Sequence, residues 1–271
     1  MKANKVIPTL VNELRQKFGP DIKAIKAEDV RIGLAYTGVK ISGNRGGVAC
    51  TPLYEFSGCP ALGFAGKLKG RPVDELLEMA LSSEPLQAAV GVAAANALAH
   101  RLLDTAIDSG IKTGLVLDSA LNVLDLVRPW DKVSMVGYFK PLVPKILKRK
   151  AELTVLEKRE VKSPKVKILA SEKAKEIVPA SDVVILSAST LANGSIDELL
   201  AFAATGKARE IILLGPSAPL YPIPFFERGV TALMGTKITD TEGMLTVLSE
   251  GGGTKKLHRG CGEKVAFRKE N

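Results

Sequence analysis

The run Val133-Ser134-Met135-Val136-Gly137-Tyr138 (VSMVGY) decides the fold, because it is mostly apolar and its apolar residues do not alternate with polar ones. Strands that are buried on both faces of a parallel sheet have this composition. Further short apolar runs follow along the chain at Leu153–Leu156, Val183–Leu186, Ile211–Leu214 and Val230–Met234. Helix-like segments separate most of the runs, at Leu142–Lys150, Ser171–Ile177, Ile196–Thr205 and Thr241–Glu250. This alternation predicts an α/β fold with a Rossmann-like, doubly wound parallel sheet.

The chain before this region has a different pattern, in which a hairpin lies between helices. The predicted elements are helices over Lys5–Phe18, Val73–Leu81 and Leu86–Asp104, and strands over Val30–Ile41 and Gly47–Leu53. The turn sequence SGNRG at residues 42–46 joins the two strands. We therefore expect a small α+β domain over residues 1–106 and a Rossmann-like domain over residues 107–271. A further helix around Ala120–Leu126 is assigned to the second domain.

Length and composition place the chain among globular proteins. Its 271 residues, 46% hydrophobic and 25% charged, suit two packed domains and exclude wholesale disorder. The three cysteines show no close pairing, and no signal peptide is recognised, so we expect reduced thiols and a cytoplasmic location. The longest apolar stretch, Leu86–Leu103, contains Gln87, Asn96, His100 and Arg101, which predicts a packed helix and no membrane contact.

The formal net charge of +9 is concentrated in two segments, Lys140–Lys167 and Lys255–Asn271. Such clusters can contact nucleic acid or an anionic ligand. Aromatic residues make up only 5% of the chain, and neither segment contains a known nucleic-acid-binding motif. The sequence therefore favours a solvated helix face and a basic tail, and disfavours nucleic acid as a partner.

The loops after the predicted strands are where a ligand is expected, because open α/β sheets bind ligands at the carboxyl ends of their strands. Residues 187–194 (SASTLANG) and 215–219 (GPSAP) are small or carry hydroxyls, as loops that cradle anions do. The first loop disfavours NAD, since only Gly137 of the dinucleotide fingerprint is present and Tyr138 and Phe139 would crowd the pyrophosphate. Glu157 nevertheless falls where a ribose-binding acid would.

Soft metal ligands are scarce, and their spacing matches no zinc motif: Cys50 and Cys59 form one pair, His258 and Cys261 another. A site could still assemble from distant positions. On the predicted helix over Leu86–Asp104, the residues Asn96, His100 and Asp104 recur every four positions and form one polar column. This column is either a solvated stripe or one wall of a cleft between the domains.

Several segments, taken in order, resemble the "putative heavy-metal chelation" family. They are DSALNVL at 118–124, GYFKPL at 137–142, VLEK at 155–158, SASTLANG at 187–194 and LGPS at 214–217. The resemblance covers essentially the whole chain. It implies a Rossmann-like domain preceded by a small α+β enolase-N-terminal-like domain, with the site in the cleft between them.

The resemblance also implies which residues line that cleft. They are Asp118, Ser119, Asn122, Gly137, Phe139, Glu157, Thr190, Asn193, Gly215, Pro216 and Ser217. Most of these positions lie at or just past predicted strand ends. Asp118 and Asn122 precede the first strand of the parallel sheet, one helical turn apart. Here an equal alternative is that Asp118 or Ser119 caps the following helix. Among the strand-end residues we expect Glu157, Asn193 and Ser217, together with Thr190, to hold the ligand.

Three functions remain open at this level. The first is a protein that binds a small anionic ligand or a metal chelate in the interdomain cleft, with a heavy or transition metal as the candidate ion. The second is an enzyme that acts on a nucleotide-like or carboxylated substrate in the same cleft. The third is a non-catalytic partner that binds RNA or an acidic protein through its basic tail. The sequence leaves open the metal and its ligands, any reaction, and the oligomeric state.

Overall fold

The computed structural model describes residues 5–55, 62–108, 116–117, 120–161, 163 and 165–269. The strands in these ranges are β1 (Ala27–Ile32), β2 (Tyr36–Ile41), β3 (Arg45–Cys50), β4 (Val116–Leu117), β5 (Lys132–Val136), β6 (Glu152–Glu157), β7 (Lys167–Ala170), β8 (Val183–Ser187), β9 (Glu210–Leu214), β10 (Ala232–Ile238) and β11 (Gly262–Arg268). The α-helices are α1 (Val6–Phe18), α2 (Val73–Glu78), α3 (Pro85–Asp108), α4 (Val143–Lys148), α5 (Ala174–Ile177), α6 (Ser189–Ala192), α7 (Ile196–Ala204), α8 (Ile223–Phe226), α9 (Thr241–Ser249) and α10 (Thr254–Gly260).

A large sheet organises the second half of the chain, with the strand order β4-β11-β10-β9-β8-β5-β6-β7. The six strands at one side of this order, β10-β9-β8-β5-β6-β7, are parallel to one another. Strand β11 is antiparallel to both of its neighbours, β4 and β10. Counted along the chain, the six parallel strands lie in the order third, second, first, fourth, fifth, sixth, which is the Rossmann order. The predicted α/β fold with a Rossmann-like parallel sheet is confirmed.

Alternate residues of the parallel strands pack on opposite faces of the large sheet, as buried parallel strands require. Val184 and Leu186 belong to one hydrophobic cluster, whereas Val183 and Ile185 belong to another. The sequence missed β7 because this edge strand is four residues long and half-buried or exposed throughout. It missed β11 because the first half of that strand contains the exposed, charged residues Glu263 and Lys264.

A small antiparallel sheet, ordered β1-β2-β3, lies in the first half of the chain. The predicted single strand Val30–Ile41 is divided by the bend at residues 33–35, so the expected hairpin is a three-stranded meander. The predicted turn between β2 and β3 is present, with Gly43 and Asn44 at φ 84° and 55°. Positive φ at two successive residues gives the type of turn that suits the twist of a tight hairpin.

The small sheet is covered by α3 on one face and by α9 on the other. Gly47 faces α3, and a Cβ there would overlap the backbone of Ala93 and Ala97. Its neighbour Gly46 faces α9, where a Cβ would meet only side-chain atoms, among them Met244 Cε at 3.2 Å. Glycine at position 47 therefore lets the backbone of α3 approach the sheet closely.

One hydrophobic cluster runs from α1, α2 and α3 into the adjoining face of the large sheet, so the two sheets share a core. The division of the chain into two domains at residues 106 and 107 stays a prediction.

The helices predicted over Leu142–Lys150 and Ile196–Thr205 are confirmed as α4 and α7. Around Ala120–Leu126 the structure has only a 3-10 turn, Val123–Leu126. In the described ranges, no helix has both the length and the apolar character needed to cross a membrane.

Candidate functional site

A cavity of about 460 Å³ lies at the carboxyl edge of the large sheet. Gly137 after β5, Glu157 at the end of β6 and residues 187–190 after β8 contribute to its walls, and Tyr54 reaches it from the small sheet. The order of the strands reverses between β5 and β8, so this is the position at which open α/β sheets bind ligands. Four residues implied by the family resemblance line it: Gly137, Glu157, Thr190 and Asn193.

Gly137 brings the ends of β5 and β8 together. Its φ is 90°, and a Cβ at this position would lie 2.9 Å from Cβ of Ser187. The amide of Gly137 donates to the carbonyl oxygen of Leu156 at 2.8 Å, which extends the β5–β6 pairing into the loop. Because only glycine adopts this conformation without strain, the residue sets the width of the cavity between the two strand ends.

Glu157 organises the loops around its own carboxylate. Oε2 accepts the amide of Tyr138 at 3.0 Å, and Oε1 accepts the amides of Lys158 at 3.0 Å and Arg159 at 3.2 Å. The guanidinium of Arg159 lies 3.5 Å away, and the Glu157 side chain is only 8% exposed. The carboxylate lines the cavity, but both of its oxygens already hold backbone donors, so it is less free to bind a ligand than the sequence suggested.

The loop after β8 supplies hydroxyl and amide groups. Oγ of Ser187 and Oγ of Ser189 are 2.9 Å apart, while the hydroxyl of Thr190 donates to the carbonyl oxygen of Ser187 at 2.7 Å. Oδ1 of Asn193 accepts the amide of Ser195 at 3.2 Å and its hydroxyl at 2.8 Å. These bonds fix the shape of the loop and leave the two serines as the hydroxyls on its cavity side.

The segment Leu53–Glu55 closes the cavity from the small-sheet side. Nζ of Lys158 lies 2.7 Å from Oε1 of Glu55, and Nδ2 of Asn193 donates to the hydroxyl oxygen of Tyr54 at 3.1 Å. The guanidinium of Arg159 stands 5.9 Å from the centroid of the Tyr54 ring, within the range of a cation–π contact. Burial raises the pKa of Tyr54, so its hydroxyl is protonated near neutral pH.

Two charged side chains at the rim are unpaired. Lys175, on α5, and Glu198, on α7, both line the cavity and form no hydrogen bond or ion pair with any residue that the structure describes. The apolar part of the lining includes Leu156, Leu199 and Phe202. Sequence reasoning missed Lys175 because α5 follows the unpredicted strand β7. It missed Glu198 because this residue lies on a helix and not in a strand-end loop.

The remaining residues implied by the resemblance lie elsewhere. Ser217 is 2% exposed; its hydroxyl oxygen accepts the amide of Cys50 at 2.8 Å, so it joins the loop after β9 to the small sheet. Gly215 and Pro216 belong to the same loop, outside the cavity lining. Phe139 packs against the hydrophobic cluster on the other face of the large sheet.

Asn122 has the role of a helix cap. Its Oδ1 accepts the amide of Leu124 at 3.0 Å, and its own amide donates to Oδ2 of Asp125 at 3.1 Å, which completes a capping box for the 3-10 turn. The sequence had offered Asp118 or Ser119 as the cap, whereas the cap of this 3-10 turn is Asn122 itself. Asp118 and Ser119 lie outside the described residues.

The polar column on α3 is buried where α3 meets β3 and the loop after β9. Nδ2 of Asn96 donates to the carbonyl oxygens of Val48 at 2.6 Å and Ser217 at 3.1 Å. His100 is 1% exposed, and burial lowers its pKa to about 4. Asp104 pairs with Arg45 and with Lys237 of β10. Asn96 and His100 are thus packed into the contact between the two sheets, so the column is not a solvated stripe, and none of its three residues lines the strand-end cavity.

The described residues do not suit direct coordination of a metal ion. Among them, no three side chains of His, Cys, Asp or Glu come together as a ligand set would require. Burial raises the pKa of both described thiols, Cys50 and Cys261, which disfavours the thiolate form that soft metals bind. Cys59 lies outside the described residues.

Comparison with known proteins gives a consistent family assignment. The DUF364 model, described as "Putative heavy-metal chelation", matches residues 120–267, and the DUF4213 model, with the same description, matches residues 15–99. An uncharacterized protein of Methanocaldococcus jannaschii is 28% identical over 256 residues, which cover 90% of this chain and 91% of that protein.

Solved structures agree with the fold. A DUF364 protein of unknown function from Pyrococcus horikoshii superimposes with a TM-score of 0.79 at 24% identity, covering 97% of this chain and 100% of the other. A second, from Desulfitobacterium hafniense, gives a TM-score of 0.74 at 19% identity, with coverages of 95% and 99%. These likenesses support the fold alone, whereas the family model spans more than half of the sequence. The chain belongs to the DUF364 family.

Proposed function

We propose that the chain binds a small anionic ligand, either free or as the organic part of a metal chelate, in the strand-end cavity. The observation that carries this proposal is the position of the cavity: it lies at the reversal of strand order and is closed by Tyr54 from the small sheet. Its volume of about 460 Å³ is within the range of small-molecule sites.

The lining indicates which chemistry the ligand carries. Lys175 offers a cation and Glu198 an anion, neither of them paired with a described residue, and the hydroxyls of Ser187 and Ser189 can donate to anionic oxygens. Leu199 and Phe202 form an apolar wall, which suits the hydrocarbon or ring part of the same molecule. A compact molecule with one phosphate or carboxylate group and one apolar part meets both surfaces.

A metal, where present, would be carried by the ligand's own donor atoms. This follows from the lack of a three-ligand cluster among the described residues and from the engagement of Glu157 with backbone amides. The protein would then recognise the anionic surface of the chelate, using Lys175 and the hydroxyl loop, and would not need to replace the chelator's donors.

The test is to identify a retained ligand and then measure its effect on unfolding. Native mass spectrometry of the purified protein should reveal a bound small molecule. A thermal-shift panel of nucleoside monophosphates, citrate and ferric citrate should include at least one stabilising compound. At about one hundred times its Kd, such a compound adds about 2.7 kcal/mol to the free energy of unfolding.

Two exposed lysines that are two residues apart, Lys175 and Lys173, provide a variant and its matched control. Lys175→Ala should reduce the ligand-dependent shift, because it removes a rim cation that no described residue neutralises. Lys173→Ala should not, since Lys173 does not line the cavity and pairs with Glu176 at 3.2 Å on the surface. Equal shifts in both variants, or no retained or stabilising compound, would contradict the proposal.

A further inference from the structure

Trp130 is exposed in a strained conformation. It is the single tryptophan of the sequence, and 75% of its surface is accessible to solvent. Its φ is 69°, and only two other non-glycine residues of the described chain, Asn44 and Lys150, have positive φ. Bulky residues adopt this region at an energetic cost, and such cost is concentrated at functional positions.

The turn that presents Trp130 is held rigidly from beneath. Asp131, 7% exposed, receives both Nη atoms of Arg209 at 2.7 and 2.6 Å and also accepts the amide of Arg128 at 2.6 Å. The amide of Trp130 donates to the carbonyl oxygen of Lys150 at 3.0 Å, so two left-handed residues from adjacent turns are bonded to each other. The indole is therefore displayed by a fixed scaffold and not by a loose loop.

Basic side chains surround this position. The exposed basic residues of the two turns are Arg128, Lys132, Lys148, Arg149 and Lys150. The acidic residues beside them are Asp125, which pairs with Arg149 at 3.6 Å, Glu152, and Asp182. Asp182 accepts the amide of Lys132 at 2.8 Å and is itself paired with Lys207 at 2.7 Å. The surface is thus positive around an aromatic ring, in a chain whose isoelectric point is about 9.4.

This surface is separate from the strand-end cavity. Trp130 precedes β5 at its amino end, whereas Gly137 follows the same strand at its carboxyl end. A five-residue strand spans about 17 Å at roughly 3.3 Å per residue, so the two positions lie on opposite edges of the sheet. A ligand in the cavity does not explain the exposure of Trp130.

We propose that Trp130 and the basic residues around it form a binding surface for single-stranded nucleic acid. The indole stacks on one base, and the neighbouring lysines and arginines contact the phosphates on either side. The low aromatic content had argued against nucleic acid, but stacking needs a single exposed ring, and Trp130 provides it beside the cations.

Other occupants suit the surface less well. A second copy of this chain carries the same charge of +9 and would be repelled. An anionic membrane would receive little apolar surface here. The other large apolar residues that are exposed in the described chain belong to the small sheet and the segments next to it: Ile32, Leu34, Leu53, Tyr54 and Leu81. Stacking on a base uses the one ring that is present.

The experiment uses the full chain with (dT)10 and (rU)10 oligonucleotides. Trp130 is the sole tryptophan, so stacking should quench its fluorescence on titration in 50 mM salt. Anisotropy of labelled (dT)10 should show at least tenfold weaker binding for Trp130→Ala and near-native binding for Trp130→Phe. Trp130→Gly, which suits the left-handed backbone, should weaken binding equally and keeps the turn folded.

Salt dependence and a matched charge control complete the test. The slope of log K against log salt should fall by about 0.7 for each phosphate contact removed in Lys148→Ala and Lys150→Ala. Lys255→Ala and Lys256→Ala, on α10, should leave both affinity and slope unchanged. Native affinity in Trp130→Ala, loss of binding only in the α10 variants, or a fluorescence blue shift with phosphatidylglycerol vesicles but no response to oligonucleotides would each overturn the proposal.

Discussion

The strand-end cavity and the buried contact of α3 with β3 both place polar residues between the two sheets, yet they differ in what those residues do. In the α3 contact, Asn96 bonds to two backbone carbonyls and Gly47 leaves no room for a side chain. In the cavity, Lys175 and Glu198 have no partner among the described residues and face open volume. Polar residues at an interface therefore mark a binding site only where space and unpaired groups occur together.

The largest expected effect concerns the packing of α3 on the small sheet. Gly47→Ala should lower the free energy of unfolding by about 3 kcal/mol or more, because its Cβ would overlap the backbone of α3. Gly46→Ala is the matched control, since it faces side chains on α9 and should cost about 1 kcal/mol. Urea unfolding measures both, and equal losses would show that the two faces are packed alike.

Acid should weaken the same contact through His100. Its pKa is lowered by burial from 6.5 to about 4, and the nearby backbone of Gly46 and Thr236 offsets this only in part. Between these pH values the unfolded chain binds a proton that the folded chain does not, so stability is complete above pH 6.5 and decreases as pH falls. The loss by pH 4 is about 3 kcal/mol.

His100→Leu should flatten this decrease when unfolding is followed from pH 7 to pH 4. Some slope will persist, because burial also lowers the pKa of His258, which bonds to Thr236 at 2.8 Å. Two neighbouring charges also act on His100: Asp104 raises its pKa and Lys237 lowers it. An unchanged slope in the variant would assign the acid sensitivity to other groups.

A pair of asparagines compares the two regions directly. Asn96→Ala should lower the free energy of unfolding by about 2 kcal/mol, because it leaves the buried carbonyl oxygens of Val48 and Ser217 without their hydrogen-bond donor. Asn193→Ala should cost about 1 kcal/mol, since it is partly exposed and water can replace its bonds to Ser195 and Tyr54. Thermal unfolding of both variants at pH 7 tests this order, and a reversed order would locate the tighter network at the cavity.

The smallest effect on stability is expected at the cavity rim. Lys175→Ala should change the free energy of unfolding by less than about 0.5 kcal/mol, because the side chain is exposed and unpaired in the described structure. Chemical denaturation without added ligand is the measurement. A clear loss would show that Lys175 supports the fold and would remove it from the list of ligand-binding candidates.

Local pattern was sufficient to predict most of the large sheet. Runs such as Val183–Leu186 are apolar on both faces and gave the parallel strands, and the resemblance directed attention to Gly137, Glu157, Thr190 and Asn193, which line one cavity. A short edge strand such as β7 and a strand with charged residues such as β11 carry a weaker pattern, so both were missed.

The roles of individual site residues could not be predicted, because they depend on partners distant in sequence. Ser217 bonds to Cys50 across 167 residues, and Asn193 to Tyr54 across 139. Glu157 combines both kinds of partner: it accepts the amide of Tyr138, 19 residues before it, and the amides of its own two successors. A strand-end carboxylate in the sequence gives no sign that it will accept them. Only the folded chain shows which polar groups are already satisfied.

The position of α9 against the small sheet has a consequence for synthesis of the chain. Lys40 of β2 meets Glu242 of α9 at 2.7 Å, across 202 residues. At about 5–20 residues per second, a ribosome needs roughly 10–40 s to make the intervening chain. Throughout that interval α9 cannot pack on the face of the sheet that holds Gly46 and Val48. This apolar face is therefore exposed in the nascent chain, where chaperones can bind it, until α9 has been made.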